Sequence, residues 1–110
     1  MTDMFRLTTR SLDPPALDAP PPVVAEFDGE VDATTAEAFV RAVNGVAGPV
    51  PLILDLTNLK YIDSAGFAAL DRLLSERRIA IVLEPHSPIR SAANLVGLPY
   101  CDSVNDVRLA

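Results

Sequence analysis

The chain has 110 residues, of which 49% are apolar and 22% are charged, and its formal net charge is −6. This length fits one domain that can bury a core without metals or disulfides. The acidic balance argues against nucleic-acid binding, which requires clustered Lys and Arg, and no apolar run approaches the ~20 residues of a membrane-spanning helix. The N-terminus lacks the apolar segment of a signal peptide, and a single cysteine, Cys101, allows no internal disulfide. We therefore expect a cytoplasmic protein.

The N-terminal part of the chain predicts two strands. Residues 4–12 form the first, and the second begins at Val23 and ends near Gly29, which marks a turn or a bulge. Between them, residues 13–22 hold five of the ten prolines, which fix φ and lack an N–H donor. We expect a proline-rich loop there, connecting two strands that pair antiparallel at one edge of a sheet.

The middle of the chain predicts a helix, a strand and a second helix. The apolar residues of the first helix recur at spacings of three and four: Ala36, Phe39, Val40, Val43 and Val46. Thr34 or Thr35 is expected to cap this helix, and Gly45 and Gly48 to end it. Residues 50–56 are almost continuously apolar, which is typical of a short strand covered on both faces in a parallel sheet. After a turn, the second helix carries the apolar residues Phe67, Leu70, Leu73 and Leu74.

The C-terminal part predicts a strand over residues 79–84 and a third helix within residues 88–98 that stops near Gly97. Residues 99–110 are expected to add a short strand and a fragment of helix. Strands that alternate with helices indicate an α/β domain with a mainly parallel sheet. We therefore expect residues 1–110 to form a single domain, with a mixed sheet of four or five strands and three or four helices.

The segment Asp63-Ser64-Ala65-Gly66 stands where the second helix should start. A serine there commonly caps a helix by accepting a backbone N–H bond, and Asp63 is an alternative cap. However, Ser64 would also lie beyond the carboxyl end of a parallel strand, where α/β domains place functional groups, and free N–H groups of a helix start accommodate phosphate. Gly66 would let another backbone approach closely. Two interpretations of Ser64 therefore stand, a helix cap and a phosphorylation site, and Asp63 either caps the helix or orients the serine hydroxyl.

The sequence contains no recognisable catalytic, metal or cofactor set. A hydrolase elbow would need glycine where Ile62 stands, and the only histidine, His86, lies between prolines and is interpreted as an exposed turn residue. Neither a phosphate-binding glycine loop nor a metal-ligand spacing occurs. Asp55 is interpreted as a strand-end or turn residue and not as a receiver-domain phosphoacceptor, because the single lysine, Lys60, is misplaced for that role. We therefore expect a protein that is not an enzyme and needs no cofactor.

Two segments occur in a characteristic order: FDGEVDATTAEAF at residues 27–39 and LILDLTNLKYIDSAGFAAL at residues 52–70. They correspond to a strand, a GEVD turn, a helix, an apolar strand and a DSAG helix start. In this order and spacing the chain resembles the STAS domain family, and in particular the bacterial anti-sigma factor antagonists. The resemblance covers nearly the whole chain, although the proline-rich loop looks longer than usual and the last helix is short or absent.

The resemblance implies a function and a set of residues. The family phosphoacceptor falls on Ser64, with Ala65 where many members carry a second hydroxyl residue, and the acidic turn falls on Glu30 and Asp32. Family members bind an anti-sigma factor, a histidine-kinase-like serine kinase, and thereby free a sigma factor. Phosphorylation of the serine breaks this complex, and a PP2C-type phosphatase restores it.

Junctions that follow parallel strands open on the same end of a sheet, so the acidic turn and Ser64 are expected to share one partner surface. Its expected partner-binding residues are Glu30, Asp32, Asp63, Ala65, Gly66 and Phe67. Phe67 or Ile62 would serve as its apolar anchor. The alternative is a STAS module that does not switch and acts as a scaffold in a sensor complex, or with a membrane transporter encoded on another chain.

Overall fold

The computed structural model describes residues 5–12, 23–46 and 52–107. The elements confirm the predicted order: β1 (Phe5–Ser11), β2 (Val23–Val31), α1 (Ala36–Asn44), β3 (Leu52–Ile62), α2 (Ser64–Glu76), β4 (Ile79–Val82), α3 (Arg90–Val96) and a single 3-10 turn (Val104–Asp106). The proline-rich loop predicted at residues 13–22 and the glycine predicted at position 48 to end α1 lie outside the described residues.

The four strands form one mixed sheet in the order β1-β2-β3-β4. β1 pairs antiparallel with β2, from Phe5 opposite Gly29 to Ser11 opposite Val23, whereas β2, β3 and β4 run parallel. The antiparallel edge and the mainly parallel sheet were both predicted and are confirmed. In place of the last predicted strand, the C-terminal segment makes a single parallel bridge from Cys101 to Val82.

β3 is much longer than predicted. The sequence indicated a strand at residues 50–56 followed by a turn, but β3 continues to Ile62 without a break. The predicted GEVD turn is also wrong, because Glu30 and Val31 belong to β2 and the turn occupies residues 33–35. The two extensions support each other, since the end of β2 pairs with the end of β3 as far as Val31 opposite Ile62. Each strand supplies the backbone partners that keep the other extended.

The pairing of β2 with β3 changes register twice. Between Glu26 and Asp28 of β2, β3 advances from Asp55 to Asn58, and a second shift follows Gly29. Gly29 has φ 111°, a backbone conformation that glycine adopts readily. This confirms the bulge interpretation of that residue. Each shift inserts one extra residue into β3, so inward and outward side chains cease to alternate regularly along its second half.

The main core lies between one face of the sheet and the three helices. Phe27 of β2 and Phe39 of α1 are fully buried, with ring centroids 4.7 Å apart, and Phe5 of β1 lies against both rings. Aromatic pairs at such distances add to the stability gained from burial alone. The helix face predicted for α1 is confirmed, because Phe39, Val40 and Val43 are buried in this core.

The opposite face of the sheet is covered by a smaller apolar cluster. Val24, Ile53 and Val82 are buried there, one from each parallel strand, and they are packed by four partly buried residues: Leu12, Cys101, Val104 and Val107. Residues 52–57 of β3 are therefore all buried, which confirms the prediction that this strand is covered on both faces. In the part of the chain that is described, no helix has the length and apolar character needed to cross a membrane.

Candidate functional site

The junction from β2 to α1 and the junction from β3 to α2 lie side by side at one end of the sheet. The backbone N–H of Asp63 donates to the carbonyl oxygen of Val31 at 3.3 Å, and the N–H of Ala33 donates to Oδ2 of Asp63 at 3.2 Å. The parallel pairing of the two strands thus places both junctions on the same end of the sheet, as the sequence predicted. We call residues 30–35 and 61–67 together the junction surface.

Asp63, and not Ser64, caps helix α2. Asp63 has extended backbone geometry, and its Oδ1 accepts a hydrogen bond from the N–H of Gly66 at 3.0 Å. Its two carboxylate oxygens therefore serve two backbone N–H groups, one in each junction. The cap interpretation is confirmed for Asp63 and wrong for Ser64, because the aspartate alone has the extended geometry of an N-cap residue.

Ser64 is the first residue of α2 and is exposed. Its hydroxyl makes no hydrogen bond within the described part of the chain. The first N–H groups of a helix lack partners within the helix, and the first turn of α2 carries no acidic side chain. The Ser64 hydroxyl is therefore accessible to another protein, and the helix end beside it carries a partial positive charge.

Asp32 stabilises the turn that precedes α1. Its Oδ1 accepts hydrogen bonds from the N–H of Thr34 at 2.9 Å and from the hydroxyl of Thr34 at 2.6 Å. In return, the N–H of Asp32 donates to Oγ1 of Thr35, the N-cap residue of α1, at 2.9 Å. The bonds from Thr34, its hydroxyl first, lower the pKa of the Asp32 carboxyl below its ordinary value. Asp32 is thus ionised at neutral pH, and its place in this turn gives it a structural role.

Gly66 lies where α2 passes close to the end of β2. A Cβ atom at this position would be 2.5 Å from Cγ1 of Ile62 and 3.2 Å from the carbonyl oxygen of Val31. The predicted close approach of another backbone to Gly66 is therefore confirmed, and the approaching backbone is that of β2. The absence of a side chain at this point allows α2 to start directly above the two strand ends.

The apolar residues of the junction surface differ from those expected. Ile62 is 6% exposed and is covered by Gly66, so the prediction that it could anchor a partner is wrong. Phe67 is half-buried and packs against the main core. Tyr61, which the sequence did not single out, is 49% exposed. Its exposure was not predicted because residues 57–62 were expected to form a turn. An aromatic residue close to the DSAG segment could nevertheless have indicated a contact residue for a partner.

The remaining members of the predicted surface lie around Ser64. Glu30 is exposed near the end of β2, opposite Tyr61 in the strand register. Ala65 lines a shallow groove of about 200 Å³ between α1 and α2, together with other alanines, Val40 and the charged residues Glu37 and Arg72. The junction surface therefore combines three carboxylates, the unbonded hydroxyl of Ser64 and the exposed ring of Tyr61.

Asp63→Ala is expected to lower the free energy of unfolding by about 0.5–2 kcal/mol, the usual effect of losing an N-cap. Both bonds to Gly66 and Ala33 would be lost. Urea denaturation followed by circular dichroism would measure the change. Asp63→Asn retains a cap acceptor and should lose much less stability. If the alanine and asparagine variants unfold at the same urea concentration, Asp63 does not stabilise the protein by capping α2.

Comparisons with known proteins were consistent with this fold. The family model of the STAS domain matches residues 14–99. The crystal structure of an anti-sigma factor antagonist from Mycobacterium paratuberculosis superposes with a TM-score of 0.69 and 23% sequence identity, over 92% of this chain and 90% of that chain. No curated protein matches the sequence. At this identity, the likeness to the mycobacterial protein shows a shared fold.

Proposed function

The chain belongs to the STAS domain family, and on this premise we propose that it is an anti-sigma factor antagonist that phosphorylation at Ser64 switches off. In the unphosphorylated state it binds an anti-sigma factor, a histidine-kinase-like serine kinase, and so releases a sigma factor. The proposal rests on the exposure of Ser64 and on its lack of a capping role. Its hydroxyl is exposed at the start of α2, and Asp63 performs the capping that would otherwise occupy it.

Phosphorylation would act through charge at a crowded acidic surface. A phosphate group adds about −1.5 to −2 charges at pH 7. It would lie next to Asp63, with Asp32 in the adjoining turn and Glu30 at the end of the neighbouring strand. The part of the partner that packs directly on Ser64 must desolvate the phosphate, and where that part is apolar or acidic, desolvation and repulsion oppose binding together. Release of the anti-sigma factor follows, and a PP2C-type phosphatase restores binding.

The partner of this surface should present basic residues at the rim of the contact. Such charges mainly raise the association rate and give binding a salt dependence. Tyr61 is the strongest candidate for an apolar anchor, because an exposed aromatic side chain supplies a large contact area at low entropic cost. In this proposal the kinase, its ATP and the catalytic chemistry belong to the partner, the chain itself is not an enzyme, and both proteins meet in the cytoplasm.

Incubation with the cognate kinase and ATP is expected to add one phosphate, at Ser64. Trypsin should release residues 61–72 as one peptide, because it cleaves after Lys60 and after Arg72. Mass spectrometry with fragmentation would separate a phosphate on Ser64 from one on Tyr61. Ser64→Ala should remain unmodified under the same conditions. Phosphate found only on Ser11, Ser75 or Ser87 would show that Ser64 is not the acceptor.

A further inference from the structure

Asp63 joins the two halves of the junction surface through three hydrogen bonds. Its N–H donates to the carbonyl oxygen of Val31 and its Oδ2 accepts from the N–H of Ala33, so two of the bonds reach the junction that precedes α1. Its Oδ1 accepts from the N–H of Gly66 in the first turn of α2. Asp63 therefore holds backbone groups on both sides of the surface.

The turn that contains the acidic residue Asp32 depends on one of these bonds for its place. The other bonds of residues 32–35 stay within the turn and α1: the hydroxyl and N–H of Thr34 donate to the Asp32 carboxylate, and the N–H of Thr35 donates to the Asp32 carbonyl. Within the described residues, the bond from Ala33 to Asp63 is the only one that joins residues 32–35 to residues 61–67. This bond directly fixes the turn beside Ser64, the residue that follows Asp63.

The same bonds leave the Asp63 carboxylate poorly placed to act on the Ser64 hydroxyl. Each carboxylate oxygen accepts a backbone N–H, and within the described chain neither accepts a bond from Ser64. In phosphoryl transfer, Oγ of Ser64 forms a bond to the γ-phosphorus of the partner's ATP, the bond from that phosphorus to ADP breaks, and the serine proton passes to a base. A general base needs a hydrogen bond to the proton that it takes, so this geometry favours a base supplied by the kinase.

We infer that Asp63 is a positioning residue, which holds the acidic turn beside Ser64 through its bond to Ala33. The anti-sigma factor then meets the turn and the serine as one pre-formed surface. The inference rests on the function proposed above. A surface that already has its bound arrangement avoids the cost of ordering a loop on association. Loss of the bond should therefore weaken recognition by the kinase and leave the phosphoryl-transfer step unchanged.

Ala33→Pro removes the N–H donor and leaves both the Asp63 carboxylate and its cap in place. The bond from the N–H of Thr35 to the carbonyl of Asp32 makes Ala33 the second residue of a turn, a position that favours proline. In phosphorylation assays with the kinase and ATP, we expect the KM for this variant to rise about three- to tenfold with kcat unchanged. Ala33→Ser retains the N–H and is the matched control, with wild-type constants expected. Thermal melts would establish that each variant is folded.

Asp63→Asn is the second variant, because its single carbonyl oxygen can keep the bond from Gly66 but cannot serve Ala33 as well. It should also raise KM and retain kcat, and it should raise KM less when Ala33→Pro is already present, since the link is then already lost. A loss of kcat of about 100-fold or more in Asp63→Asn would indicate a base at this position and would overturn the inference. Wild-type constants in Ala33→Pro would overturn it and leave the proposed function standing, whereas a wild-type chain that the kinase does not phosphorylate would overturn both.

Discussion

Ser64→Asp is expected to bind the anti-sigma factor about 30- to 150-fold more weakly than the wild type, a loss of about 2–3 kcal/mol. The added carboxylate would lie at the first residue of α2, directly after Asp63 and beside the turn that contains the ionised Asp32. In a packed contact this carboxylate must lose its hydrating water, and it would face a partner surface that is complementary to a neutral hydroxyl. Ser64→Ala should bind like the wild type but should no longer be released by ATP.

Calorimetric titration of the anti-sigma factor with each variant would measure these affinities, and thermal melts would establish that each variant is folded. Ser75→Asp is the matched control, since Ser75 is exposed near the other end of the same helix. It adds the same charge and should leave the affinity unchanged. A folded Ser64→Asp that binds as tightly as the wild type would contradict the switch, and a constitutive scaffold would then be the better description.

Gly66→Ala is expected to lower the free energy of unfolding by about 1–3 kcal/mol, the range found for overpacked sites. The new methyl group would lie 2.5 Å from Cγ1 of Ile62 and 3.2 Å from the carbonyl oxygen of Val31. The Ile62 side chain is itself buried, and the carbonyl belongs to the backbone of β2. Relief therefore requires α2 to move away from the strand ends, which would also strain the bond from the Gly66 N–H to Asp63.

Gly45→Ala provides the control for this substitution. Gly45 ends α1 with φ −78°, a helical value that alanine adopts, and its nearest contact to a new Cβ would be 3.3 Å. The free energy of unfolding should change less in Gly45→Ala than in Gly66→Ala, because alanine favours the helical conformation. Urea denaturation with a comparison of midpoints at constant m-value would measure both. Equal losses at the two positions would show that the close approach at Gly66 carries no special cost.

Local patterns in the sequence predicted most of the helices and strands and their order. The spacing of Phe39, Val40 and Val43 predicted the buried face of α1, because a helix turns every 3.6 residues. The unbroken apolar run that begins at Leu52 predicted a strand covered on both faces, since water contacts neither side of it. The order of strands and helices then implied the parallel sheet, and with it the meeting of two junctions at one end. The family resemblance rested on the same segments and was confirmed.

The tertiary structure decided what depends on contacts between distant segments. β3 extends to Ile62 because the end of β2 supplies its hydrogen-bond partners, and no local signal in residues 57–62 reports that pairing. The choice of Asp63 over Ser64 as the cap follows from the extended geometry of Asp63 and from its second bond, to Ala33 thirty residues earlier. Asp55, which the sequence indicated as a strand-end or turn residue, lies within β3 and is buried, whereas Tyr61, predicted in a turn, is exposed near the end of the same strand. Burial of this kind is a property of the assembled sheet, so it could be read only after the strands were in place.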